Sequence, residues 1–122
     1  MKRYIKSAIR NINEESYDER DALAADFTLP KEILQKLAED PELSVKANAQ
    51  QTLENIRLGE DVLQKDLSKE TLEKWSYSML DWLRYYTALH PNCPIRILRH
   101  LSEDEDIRVA KAATERLKEI QG

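Results

Sequence analysis

Apolar residues recur along the chain at helical spacing, in short blocks divided by turns rich in proline and acid. Residues 2–12 place Tyr4, Ile5, Ala8, Ile9 and Ile12 on one stripe. Ser16, with Glu19 three residues later, forms a capping box for a second helix carrying Arg20, Leu23 and Ala24. Pro30 suits the first position of a third helix, whose buried stripe is Ile33, Leu34 and Leu37. Asp40 and Pro41 start a fourth, which runs through Val45, Ala49, Leu53 and Ile56 and stops before Gly59. From Ser68 the pattern predicts one long helix to about His90, with Leu72, Trp75, Met79, Trp82 and Tyr86 on its stripe. The His90-Pro91 pair ends it, because a residue before proline avoids helical dihedrals. Pro94 opens a short helix with Ile97, Leu98 and Leu101, and Ile107, Val109, Ala113 and Leu117 carry the last one towards Gly122.

Part of this pattern is written twice. Residues 19–53 align with 83–117 at an offset of 64, without gaps. Arg20, Ala24, Pro30, Ile33, Leu34, Leu37, Glu39, Asp40, Val45, Ala49 and Leu53 meet identical residues, 11 of 35 positions. A fixed internal period marks a repeat array. A fainter copy is read at 58–65, "LGEDVLQK", against "LPKEILQK" at 29–36, with Gly59 in the proline's place. The predicted organisation is one helical-repeat domain over 1–122. Its units lie near 16–43, 44–66 (degenerate) and 80–119, with an extra helical stretch near 67–80.

The recurring unit resembles the leucine-rich repeat variant family, a relative of the HEAT-like helical repeats. The resemblance rests on "LRYYTALHPNCPIRILRHLSEDEDIRVAKAA" at 83–113, through Arg84, Ala88, Pro91, Asn92, Pro94, Leu98, Leu101, Asp104 and Val109. Residues 20–49 repeat the pattern with "DFTL" in place of "HPNC". It implies an all-α, short right-handed HEAT-like α-solenoid of about seven or eight helices. The iron–sulfur cluster of the founding type needs several cysteines, and this chain has only Cys93.

Composition narrows the picture. Two glycines and four prolines in 122 residues favour an all-helical chain. Charged residues make up 34% and the net charge is −4, which does not point to a basic nucleic-acid binder. A single cysteine excludes an internal disulfide framework and points to a reducing compartment, so a cytoplasmic location is expected. No apolar run approaches the roughly 20 residues that span a bilayer, and the basic N-terminus does not read as a secretion signal.

No constellation carries catalysis. His90, Cys93 and His100 are too few for a zinc site, and two glycines build no phosphate loop. Neither cofactor nor metal is expected. Candidate binding residues fall in two groups. Lys31, Gln35, Lys36, Lys65, Arg96, Arg99 and His100 form a basic line on the second helices, suited to an acidic partner or a phosphate backbone. Tyr77, Arg84 and Tyr85 fall off the main stripe of the aromatic segment 75–86, are expected to be exposed, and belong to types that dominate binding hot spots. Lys2, Arg3, Lys6 and Arg10 mark the first helix as a basic cap on the array. Arg20 and Arg84 are expected to reach carbonyls or acids of a neighbouring unit, and Asp40 and Asp104 to cap the helices that follow them. The expected function is non-catalytic binding of a protein partner, as an adaptor. Nucleic acid is the competing partner, and no membrane is implied.

Overall fold

A computed structural model of the chain describes residues 16–121; the expected first helix lies outside them. The described residues hold seven helices and no strand: α1 (Tyr17–Ala24), α2 (Lys31–Leu37), α3 (Leu43–Leu63), α4 (Lys69–Trp75), α5 (Asp81–Leu89), α6 (Ile95–Leu101) and α7 (Ile107–Gln121). The chain divides into two compact units, residues 1–57 and 58–122, with the division inside α3.

In the first unit, Ser16 caps α1 as its sequence requires, the Glu19 N–H donating to Ser16 Oγ at 3.3 Å. Ala24, Ile33, Leu34, Leu37, Val45 and Ala49 form a core from which water is almost excluded. Thr52 Oγ1 donates to the Ala24 carbonyl at 2.6 Å, joining α3 to the end of α1. Asp21 Oδ1 accepts from Ser44 Oγ and Asn48 Nδ2, a second polar tie between the same helices.

In the second unit, α7 packs across α5 and α6, and α5 also meets α4. Its core joins Leu72, Ala88, Cys93, Ile97, Leu98, Leu101, Val109 and Ala113. Ten of the eleven identical pairs of the offset-64 alignment match in burial, all but Asp40 and Asp104; Leu34 and Leu98, for instance, are both fully buried.

The expectation that Gly59 stands at the start of a helix is not met. Leu58 to Leu63 continue α3 without a break, so Gly59 opens no helix. Gly59 is needed for another reason, since a Cβ there would stand 2.1 Å from Tyr86 Cδ2. α4 shares its length and its closing bond with α2 and α6. All three are seven residues long, preceded by Pro30, Ser68 and Pro94. Each closes on the same bond, from Ala38, Ser76 and Ser102 N–H to Leu34, Leu72 and Leu98 O at 2.8, 2.9 and 2.8 Å. The sequence signal is "LSKETLEKW" at 67–75 against "LPKEILQKL" at 29–37, which share Leu, Lys, Glu, Leu and Lys at an offset of 38.

The long helix expected from Ser68 to His90 is two helices, α4 and α5, separated by residues 76–80. Ser76 Oγ donates to the Glu73 carbonyl at 2.6 Å and Ser78 Oγ accepts from the Leu80 N–H at 3.1 Å. Serine side chains here give the backbone an alternative to helical bonding. Met79, assigned by periodicity to a buried stripe, is 98% exposed as a result.

A helical glycine ordinarily costs about 1 kcal/mol relative to alanine. At Gly59 the sign reverses, because the Tyr86 ring occupies the space of the methyl group. Gly59→Ala is expected to destabilise the protein by about 1–2 kcal/mol, the usual range for overpacking, measured by chemical denaturation. In a Tyr86→Ala background the same change is expected to stabilise.

Candidate binding cleft beside Tyr77

The cleft is held by an arginine fork. In α5, Arg84 Nε donates to Asp104 Oδ2 at 2.8 Å and Nη2 donates to Asp104 Oδ1 at 3.2 Å. Nη1 donates to the Ser78 carbonyl at 2.8 Å. Asp104 Oδ1 also accepts the Asp106 N–H at 2.9 Å, starting the turn into α7. Planar guanidinium suits such bidentate contact, which a lysine would not reproduce. The bond to Asp104 outweighs burial and holds the Arg84 guanidinium above its ordinary pKa. The first unit has the same device: Arg20 Nε donates to Asp40 Oδ2 at 2.8 Å, and Asp40 Oδ1 accepts the Glu42 N–H at 2.9 Å. Each aspartate thus bonds the backbone of the turn before the next helix and does not cap that helix; at α7 the cap is Asp106, whose Oδ1 accepts the Arg108 N–H at 2.9 Å. Arg84 reaches a neighbouring copy only through Ser78; its acid, like that of Arg20, is in its own copy.

In the middle copy Leu58 and Ser78 stand where the others carry arginine and aspartate. Ser78 keeps the turn but lacks the charge. Residues 76–79 line a cleft of about 590 Å³ together with Arg84, His100, Glu103, Asp104 and Glu105. Tyr77 is 69% exposed, and its ring stacks on His100 with centroids 4.4 Å apart. A neighbouring hollow adds Leu80, Asp81 and Asp106. Arg108 bridges those two acids, at 3.1 Å to Asp81 Oδ2 and 2.7 Å to Asp106 Oδ2. Its hydrogen bond to Asp106 lowers that carboxyl's pKa and keeps it ionised.

The expected site residues divide. Tyr77, Arg84 and His100 share the cleft, and Arg96 joins Tyr77 and His100 in a smaller hollow. Arg96 is paired with Glu73. Arg99 is exposed on α6. Lys31, Gln35 and Lys36 are exposed on α2, in the first unit. Lys65 lies past the end of α3 and pairs with Asp61 at 3.4 Å. On the α4 face, the positions equivalent to Lys31 and Lys36 are Lys69 and Lys74, which the misplaced copy hid. Two residues correct the expectation of exposure. The Arg84 side chain is only 12% exposed and belongs to the fork. Tyr85 is half-buried, packs on the core and meets Tyr86 edge to face. Met79, Glu103 and Glu105 are the residues that sequence reasoning missed.

Histidine and thiol chemistry is turned inward. His90 is fully buried. Its Nδ1 accepts the Asn92 N–H at 3.0 Å, so Nε2 carries the proton and donates to the Lys65 carbonyl at 2.8 Å. Burial pushes the Cys93 thiol up to about 11. Among the described residues no group of three or more His, Cys, Asp or Glu is placed to hold a metal ion, and no helix is long and apolar enough to cross a membrane. No family model, curated protein or solved structure matches the chain.

Two outcomes follow for stability. Arg84→Ala strands Asp104 and is expected to cost about 2–3 kcal/mol in denaturant unfolding, with Arg84→Lys recovering only part. Cys93 ionises more readily unfolded, at 9.0, than folded, at about 11. Its contribution to stability is therefore complete below pH 9 and lost as pH rises towards about 11. Cys93→Ala is expected to flatten that decline.

Proposed function

We propose that the chain is a non-catalytic protein-binding module, an adaptor built from short helices stacked as a right-handed HEAT-like solenoid. The resemblance to the leucine-rich repeat variant family supports that arrangement, as does the threefold recurrence of the seven-residue helix and its closing bond. A free, buried Cys93 suits a reducing, cytoplasmic setting. The observation that carries the binding role is the exposed Tyr77–Met79 segment over a preformed cleft. Large exposed side chains on a firmly held turn lose little freedom on binding, and tyrosine is a frequent hot-spot residue. Tyr77, Met79 and His100 are the proposed contact residues, with Arg84 as their support.

A second reading, nucleic-acid binding, draws on cations at equivalent exposed positions of the short helices: Lys31, Lys36, Lys69, Lys74, Arg96 and Arg99. Glu32, Glu70 and the Glu73–Arg96 pair interrupt them. Affinity capture with and without nuclease separates the two. Capture is expected to persist after nuclease, to fall roughly tenfold or more in Tyr77→Ala/Met79→Ser, and to survive Arg96→Glu/Arg99→Glu. Capture lost to nuclease, or to the charge reversal alone, overturns the protein-binding reading.

A further inference from the structure

We infer that the cleft beside Tyr77 takes a cationic segment of a partner protein, a lysine or arginine flanked by an apolar residue. This deepens the proposed function and rests on it. The argument is charge complementarity beside two exposed apolar side chains, Tyr77 and Met79. Asp81, Glu103, Asp104, Glu105 and Asp106 surround the cleft and its neighbouring hollow, against two guanidiniums, Arg84 and Arg108. Both guanidiniums are held by aspartates: Arg84 by Asp104, Arg108 by Asp81 and Asp106. Glu103 and Glu105 stand exposed on the rim, and their charge is not offset by either arginine in these ion pairs. The local field therefore favours an incoming cation and opposes phosphate.

Tyr77 and Met79 fit the same ligand. Tyr77 presents an exposed aromatic ring, a good neighbour for an ammonium or guanidinium within about 6 Å of its centroid. Met79, almost wholly in solvent, offers a flexible, polarisable contact for an apolar side chain next to the cation. A cleft of about 590 Å³ admits one or two side chains and their backbone. Neither feature alone selects a ligand. Carboxylates without the aromatic ring and the thioether would hold only diffuse counter-ions, and those two groups without the carboxylates would be indifferent to charge.

The test is selection of random peptides displayed on phage against the immobilised full chain, followed by affinity measurement on the selected peptides. Expected are sequences that carry Lys or Arg beside an apolar residue. Their binding should weaken as salt rises, fall about tenfold in Glu103→Gln/Glu105→Gln, and be lost in Tyr77→Ala/Met79→Ser. All four positions are exposed, so the variants keep the fold, verified by an unchanged unfolding midpoint. Selected peptides that are neutral or acidic, need Tyr77 and Met79 but ignore the two glutamates, overturn the cationic ligand and leave the cleft as a protein site. Selected peptides indifferent to Tyr77 and Met79 overturn both.

Discussion

The second unit is organised around one guanidinium. Arg84 joins three pieces of backbone that are distant in sequence: the turn after α4, its own helix α5, and the turn into α7. With five donors in a fixed plane, it specifies distance and angle together. Removing water from such a pair is costly unless every donor finds a partner. Here the fork meets both oxygens of Asp104 and a carbonyl, so the arrangement is satisfied only at one spacing of the helices. Arg20 and Asp40 meet at the same separation of 20 residues in the first unit. Packing of leucines is tolerant of small shifts; the fork is not, which explains why the same two polar residues accompany the apolar stripe in both copies.

The legible parts of the fold were those in which local and tertiary preferences agree. Pro30 and Pro94 and the stripes Ile33–Leu34–Leu37 and Ile97–Leu98–Leu101 point to the same helices, and those helices are present. The likeness of Lys69–Trp75 to α2 and α6 is hard to see in the sequence because Ser68 stands where they have Pro30 and Pro94, at unequal spacings of 38 and 26. A false echo at Leu58–Lys65 took its place. The break between α4 and α5 was hidden for a different reason. Helical periodicity continues through Met79, and nothing in a hydrophobic pattern records that Ser76 and Ser78 bond to the backbone nearby.

The site was half legible for the same reason. The aromatic segment 75–86 stood out by composition, yet composition does not say which rings face inward. Tyr86 fills the space left by Gly59, Tyr85 lies against the core, and Tyr77 is turned to solvent by the loop. Arg84 looked like a surface contact and is a structural one. Glu103 and Glu105 gain meaning only because the loop beginning at Ser76 brings an aromatic ring and a thioether to the same cleft.

The absence of an acid at position 78 loads a second task onto Arg84. Asp40 and Asp104 each hold an arginine through a carboxylate. Ser78 has no carboxylate, and its turn meets a guanidinium through its backbone carbonyl, that of Arg84. One side chain thus serves two turns. A change at Arg84 reaches both the turn that carries Tyr77 and Met79 and the turn that carries Glu103 and Glu105.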